Sequence, residues 1–144
     1  MADEDKIVEI LTDVPLFHGL RRRQLHSLAR IFIERTCASG EVMVPQGRDG
    51  YGFFVIVSGA AEAILERSDG STEVVNTFGP TDFFGELALL DNGPRTASVV
   101  TTERTECLIL PRESFLGTMR RDGDMAVEIA IELARRFRTA LETR

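Results

Sequence analysis

Residues 82–98 read Asp-Phe-Phe-Gly-Glu-Leu-Ala-Leu-Leu-Asp-Asn-Gly-Pro-Arg-Thr-Ala-Ser, and they gather an acid, a cation and several backbone N–H groups in one short stretch. Gly85 is expected to open a helical turn, which leaves the N–H groups of Glu86, Leu87 and Ala88 without intrahelical acceptors and facing outward. Such a terminus attracts anions through its hydrogen bonds and its dipole. Arg95 follows a turn at Asp91-Asn92-Gly93-Pro94 and carries a permanent charge whose planar fork can hold two phosphate oxygens. Thr96 and Ala97 add two backbone N–H groups, and Thr96 a hydroxyl. Glu86 would repel a phosphate placed against it and suits a neighbouring sugar hydroxyl, which donates to a carboxylate. A small phosphorylated sugar uses every one of these groups. The residues alone leave a second reading open, in which Glu86 and Arg95 pair with each other and merely close the loop.

The rest of the chain supplies the elements that must position this stretch. Residues 4–11 carry Ile7, Val8, Ile10 and Leu11 at helical spacing. After Pro15 and Gly19 a second helix is expected from about Arg22 to Phe32, with Leu25, Leu28, Ala29 and Phe32 on one side. From Ile33 to Pro111 the period changes to short β-branched and aromatic runs broken by turn residues. Strands are expected over Glu41 to Val44, Phe53 to Val57, Ala61 to Glu66, Thr72 to Thr77, Ser98 to Thr102 and Glu106 to Leu110. That meter indicates a β-sandwich or barrel. Ser68-Asp69-Gly70-Ser71 reads as a hairpin loop, Gly47, Gly50 and Gly52 crowd one loop, and Gly59 sits where a side chain would be awkward. Beyond Pro111 a helix over Arg112 to Met119 breaks at Asp122-Gly123-Asp124. A long helix then runs to about Thr143, N-capped by Asp122 or Asp124. That helix places Met125, Ile129, Leu133, Phe137 and Leu141 at steps of four, with Ala126, Ala130 and Ala134 alongside. Such a face packs on its own domain, on a second copy of the chain, or on both.

Composition narrows the function classes. At 144 residues, with 43% hydrophobic and 28% charged residues, the chain has the make-up of one globular domain. A net charge of −6 lacks the electrostatic footprint of a nucleic-acid binder. The run Arg21-Arg22-Arg23 reads as a solvated helix face. The longest apolar runs, such as Phe53 to Val57, fall far short of a membrane span, and the acidic N-terminus lacks a signal-peptide layout. A reducing, cytoplasmic setting is therefore expected, with Cys37 and Cys107 as buried thiols rather than a disulfide or metal site. A metal oxygenase on a jelly roll would need two histidines and a carboxylate on its strands. His18 and His26 both fall in the N-terminal helical region, and no nucleophile–base arrangement appears, so no catalytic residue, metal or cofactor is expected.

Phe84-Gly85-Glu86-Leu87-Ala88-Leu89, a short turn, then Pro94-Arg95-Thr96-Ala97-Ser98 closely resembles the phosphate-binding cassette of cyclic-nucleotide-binding domains. Members of that family include the catabolite activator protein, kinase regulatory subunits and cyclic-nucleotide-gated channels. Gly40-Glu41, Gln46-Gly47, Phe53 to Gly59 and Gly79-Pro80-Thr81-Asp82-Phe83 fall in the family's order and spacing, so the resemblance covers about 14 to 141. It implies an α+β fold. An antiparallel β-roll, a jelly-roll-like sandwich, over 33–111 is flanked by N-terminal helices over 4–32 and two C-terminal helices over 112–143, with a short helix in the cassette. Together these form a single domain over 1–144. The resemblance also implies a non-enzymatic sensor that binds a 3′,5′-cyclic purine nucleotide, cAMP ahead of cGMP, and transmits binding through its C-terminal helices. Arg95 matches the arginine of the cyclic phosphate and Glu86 the acid of the ribose 2′-hydroxyl. Gly85, Leu87, Ala88, Thr96 and Ala97 match backbone or hydroxyl contacts, Val75 and Phe78 apolar positions against the base, with Ala63 a further one. Residues Arg136 to Leu141 are implied to close over the base. The implied partners are the nucleotide, a second copy through the 124–143 helix, and an effector protein or appended domain, with neither nucleic acid nor membrane. An alternative within the family is a docking module that binds no nucleotide. Such a module would keep the glycines and lose the arginine or the acid, and both are present here.

Overall fold

The computed structural model describes residues 3–48, 52–91 and 93–143. It divides into two compact units, one spanning 32–113 and one made of the segments up to 31 and from 114 onward.

The 32–113 unit is the antiparallel β-roll. Its strands are β1 (Ile33–Cys37), β2 (Val42–Val44), β3 (Gly52–Ser58), β4 (Ala61–Glu66), β5 (Thr72–Phe78), β6 (Phe83–Phe84), β7 (Ser98–Thr101) and β8 (Thr105–Pro111). They form two four-stranded sheets, in the orders β1-β8-β3-β6 and β2-β7-β4-β5. Apolar side chains from both sheets meet in one core: Cys37, Phe54, Ile56, Cys107 and Ile109 from the first, and Met43, Val44, Ala61, Ala63 and Val99 from the second. The nearly unbroken apolar run of β3 matches burial of both its faces, since Gly52 to Ile56 are all buried. By contrast β5 pairs on one side only and is exposed along most of its length. Its register against β4 skips Val75, which is therefore the extra residue of a β-bulge. The loop at Ser68 to Ser71 is a hairpin as expected, with Gly70 at φ 88°. At Gly59, with φ 96°, an added Cβ would lie 2.5 Å from the Arg104 carbonyl oxygen. Gly50 of the glycine-rich loop lies outside the described residues.

Two strands escaped the sequence reading. β1 carries mostly polar side chains and is held by five register pairs to β8. β6 has two residues, and its pairing Phe54↔Phe84 and Val55↔Phe83 is what places the cassette beside β3. The short helix expected after Gly85 is α3 (Ala88–Asp91).

The second unit contains α1 (Glu4–Thr12), a 3₁₀ turn at Pro15–Phe17, α2 (Arg22–Ala29) and α5 (Gly123–Glu142); α4 (Arg112–Arg121) runs into it from the end of β8. The second helix ends at Ala29 rather than Phe32. Arg30 and Ile31 close the last turn onto His26 and Leu28, and Phe32 instead packs edge-on against Phe53 with centroids 6.1 Å apart. The Asp122 carboxylate caps α5 through the Met125 N–H at 3.1 Å and also receives the buried Gln24 amide at 3.3 Å. His26 is bonded to Glu4, and His18 is exposed. Along α5 the Met125 and Ile129 side chains are buried, whereas Phe137 is 66% and Leu141 48% exposed.

Candidate functional site

The cassette enters from a strained turn. Pro80 and Thr81 lie between Gly79 and Asp82, and Thr81 has φ 72°, a region β-branched residues avoid. Four bonds hold it there: Asp82 N–H to the Gly79 carbonyl, Gly79 N–H to the Asp82 carboxylate, Thr81 N–H to the Ile56 carbonyl and Ile56 N–H to the Asp82 carbonyl. β6 follows, with Phe84 stacked flat on Phe54 at 4.9 Å and also 4.9 Å from Phe78.

Gly85, at φ 87°, then turns the chain away from the sheet. An added Cβ there would lie 2.6 Å from Arg95 Nη1, 2.9 Å from Nη2 and 2.8 Å from the Gly52 carbonyl oxygen. The arginine fork therefore lies directly over the glycine. Its Nη2 donates to the Gly52 carbonyl at 2.7 Å, and its Nε is buried with no hydrogen-bond partner among the described residues. Main-chain bonds fix the base of the side chain: Arg95 N–H to the Arg48 carbonyl and Gly47 N–H to the Arg95 carbonyl, both 2.8 Å. Burial pushes the Arg95 pKa down, and the nearby Asp91 carboxylate only partly opposes that shift. Asp91 is thus an acid whose charge acts on Arg95.

A cavity of about 370 Å³ opens beside this fork, lined by Gly85, Glu86, Leu87, Ala88, Asp91, Gly93, Pro94, Arg95 and Thr96. Six of the expected site residues meet there: Gly85, Glu86, Leu87, Ala88, Arg95 and Thr96. Glu86 contributes a carboxylate whose Oε2 is buried. One expectation about the amides is corrected. The Ala88 N–H does not face outward; it bonds the Gly85 carbonyl at 3.1 Å, because the positive φ of Gly85 folds the turn back on itself. The Leu87 N–H has no acceptor among the described residues.

Ala97, Val75 and Phe78 lie outside the cavity lining. Ala97 and Phe78 pack on the roll's core, where Ala63 is buried, and Val75 is the half-exposed bulge residue. Asp91 joins the lining unannounced by the sequence reading; its carboxylate accepts the Gly93 N–H at 3.1 Å and so shapes the turn before Arg95. Asn92 of that turn lies outside the described residues. Gly52 was also missed as a partner of Arg95, since only its crowding in a glycine-rich loop was visible.

Comparison with known proteins supplies independent information. Residues 34–122 match the family model of the cyclic nucleotide-binding domain. The cyclic AMP receptor protein of Thermus thermophilus is 36% identical over 126 residues, 88% of this chain and 58% of the relative. The cAMP-dependent protein kinase regulatory subunit of Mycosarcoma maydis is 39% identical over 98 residues, 68% of this chain and 18% of the relative. The N-terminal domain of a transcriptional regulator from Streptomyces coelicolor A3(2) superposes with a TM-score of 0.85 at 27% identity, covering 94% of each chain. This chain thus spans less than two thirds of either curated relative. It belongs to the cyclic nucleotide-binding domain family.

Proposed function

We propose that this domain is a non-enzymatic sensor of 3′,5′-cyclic AMP, with cGMP the weaker ligand. The observation that carries the reading is Arg95: a guanidinium held over a glycine at the wall of the cavity, with burial weakening its hold on its own charge. An anion seated there restores what burial removes, and a cyclic phosphate presents two free oxygens to the fork. The Leu87 N–H faces the same anion. The Glu86 carboxylate accepts from the ribose 2′-hydroxyl, and Thr96 sits where the base leaves the sugar. Val75 and Phe78 are assigned to the base from the family pattern. The preference for cAMP rests on the names of the two curated relatives, both cAMP proteins.

Binding draws α3 onto the phosphate, and the C-terminal helices respond about the Asp122-Gly123 break between α4 and α5. The ligand shifts that balance only by its differential affinity for the two arrangements. The exposed Phe137 and Leu141 support docking of the distal half of α5 on a second copy of the chain, and the reader of the shift is a partner protein or appended domain.

Calorimetric titration with cAMP and cGMP tests the reading. Arg95→Ala should weaken cAMP binding by about 10- to 150-fold, the worth of a charge-assisted contact of roughly 1.5–3 kcal/mol. Equal affinity of wild type and variant refutes it, as does a wild-type protein that binds neither nucleotide.

A further inference from the structure

The β3–β8 ladder ends at the pair Gly52↔Pro111, and from this one rung the cassette is gripped at two points. Gly52 supplies the carbonyl that receives Arg95 Nη2 at 2.7 Å. Arg112, the residue after Pro111, reaches the other side, and its Nη2 donates to the Leu90 carbonyl at 3.0 Å. Leu90 lies near the C-terminal end of α3, a helix of only four residues. So short a helix cannot hold itself together, and its last carbonyls have no intrahelical donors. A guanidinium there satisfies one of them and sets a positive charge at the negative end of the helix.

We infer that Arg112 is a positioning residue for nucleotide binding: its bond to Leu90 holds α3 and the following turn so that Leu87 and Arg95 face one ligand together. This inference rests on the cyclic-nucleotide reading. The Arg112 side chain is 23% exposed, and its Nε is buried without a hydrogen-bond partner among the described residues. Its other contact, Nη1 to Glu113 at 3.5 Å, involves a carboxylate 81% exposed and so adds little. The Leu90 bond is therefore the interaction that fixes the fork. Arg112 touches α3 rather than the cavity, so it acts through the conformation of the cassette.

Arg112→Met keeps the aliphatic stem and removes the donor, whereas Arg112→Lys keeps a charged donor. In titrations with cAMP the Met variant should bind about tenfold more weakly, roughly one charge-assisted hydrogen bond, and the Lys variant should recover part of that loss. Hydrogen exchange on the ligand-free protein should show faster exchange over 86–95 in the Met variant, with β3 and β8 unchanged. Wild-type affinity together with wild-type exchange in the Met variant overturns the inference. Acceleration spread evenly over the roll also overturns it, since it would mark Arg112 as a general stabiliser. If the wild-type protein binds neither nucleotide, the nucleotide reading fails separately. The exchange experiment then still decides whether Arg112 holds α3.

Discussion

Gly85→Ala separates two things that glycine does in the cassette. Its φ of 87° is a region where an L side chain is strained, by about 1–2 kcal/mol. Its missing Cβ also leaves the space that the Arg95 fork occupies, since an added one would lie 2.6 Å and 2.9 Å from the two terminal nitrogens and 2.8 Å from the Gly52 oxygen. The arginine must then leave the Gly52 carbonyl, which forfeits a further ~1–3 kcal/mol of charge-assisted bonding. Gly70 is the control, for its φ is 88° and nothing lies within 4 Å of an added Cβ. Denaturant unfolding should place Gly70→Ala about 1–2 kcal/mol below wild type and Gly85→Ala about 2–5 kcal/mol below, a loss no larger than the stability of an ordinary domain. In calorimetric titration Gly70→Ala should bind cAMP as wild type does. Gly85→Ala should lose at least about tenfold, because its arginine no longer lies where the anion docks. Equal unfolding free energies for the two variants, or undiminished affinity in Gly85→Ala, would falsify the assignment of that space to Arg95.

Three more tests bear on other parts of the molecule. Thr81→Gly relieves a β-branched residue at φ 72° and should raise stability by about 0.5–1 kcal/mol after the entropy cost of glycine, seen as a melting point a few degrees higher; a lower one would mean the hydroxyl or methyl is needed. Burial pushes the Cys107 thiol from its ordinary 9.0 up to about 12. The folded state then favours the neutral thiol, so stability is intact below about pH 9 and falls as pH rises towards 12. Between pH 8 and 10.5, wild type should lose about 1–2 kcal/mol more than Cys107→Ala in denaturant titrations, and parallel losses would dismiss the thiol as the cause. Phe137→Glu changes a side chain that is 66% exposed in the single chain. It should leave folding stability within about 0.5 kcal/mol and yield a monomer by light scattering, whereas a dimer that persists would remove α5 from the interface.

The cassette was legible in the chain because its chemistry is local. An acid, an arginine and a turn glycine lie within one turn and one short helix, and residue type with spacing records that directly. The strand meter, the hairpin at Gly70 and a cap at Asp122 or Asp124 were equally readable, since turn and cap propensities act over a few residues; the structure selects Asp122. What the chain alone did not determine lies across sequence distance. Gly52 was visible only as one glycine among several, yet its register opposite Pro111 makes its carbonyl the anchor of Arg95 and sets Arg112 beside the cassette. β1 and β6 were missed because a polar five-residue strand and a two-residue strand take their stability from partners, not from propensity. The Ala88 amide was misjudged for a related reason: the conformation of Gly85 decides whether that N–H is spent at home. Residue types pointed to an anion-binding chemistry. Which way the arginine points, and which carbonyl receives it, was decided by hydrogen bonds between segments brought together only when the roll closes.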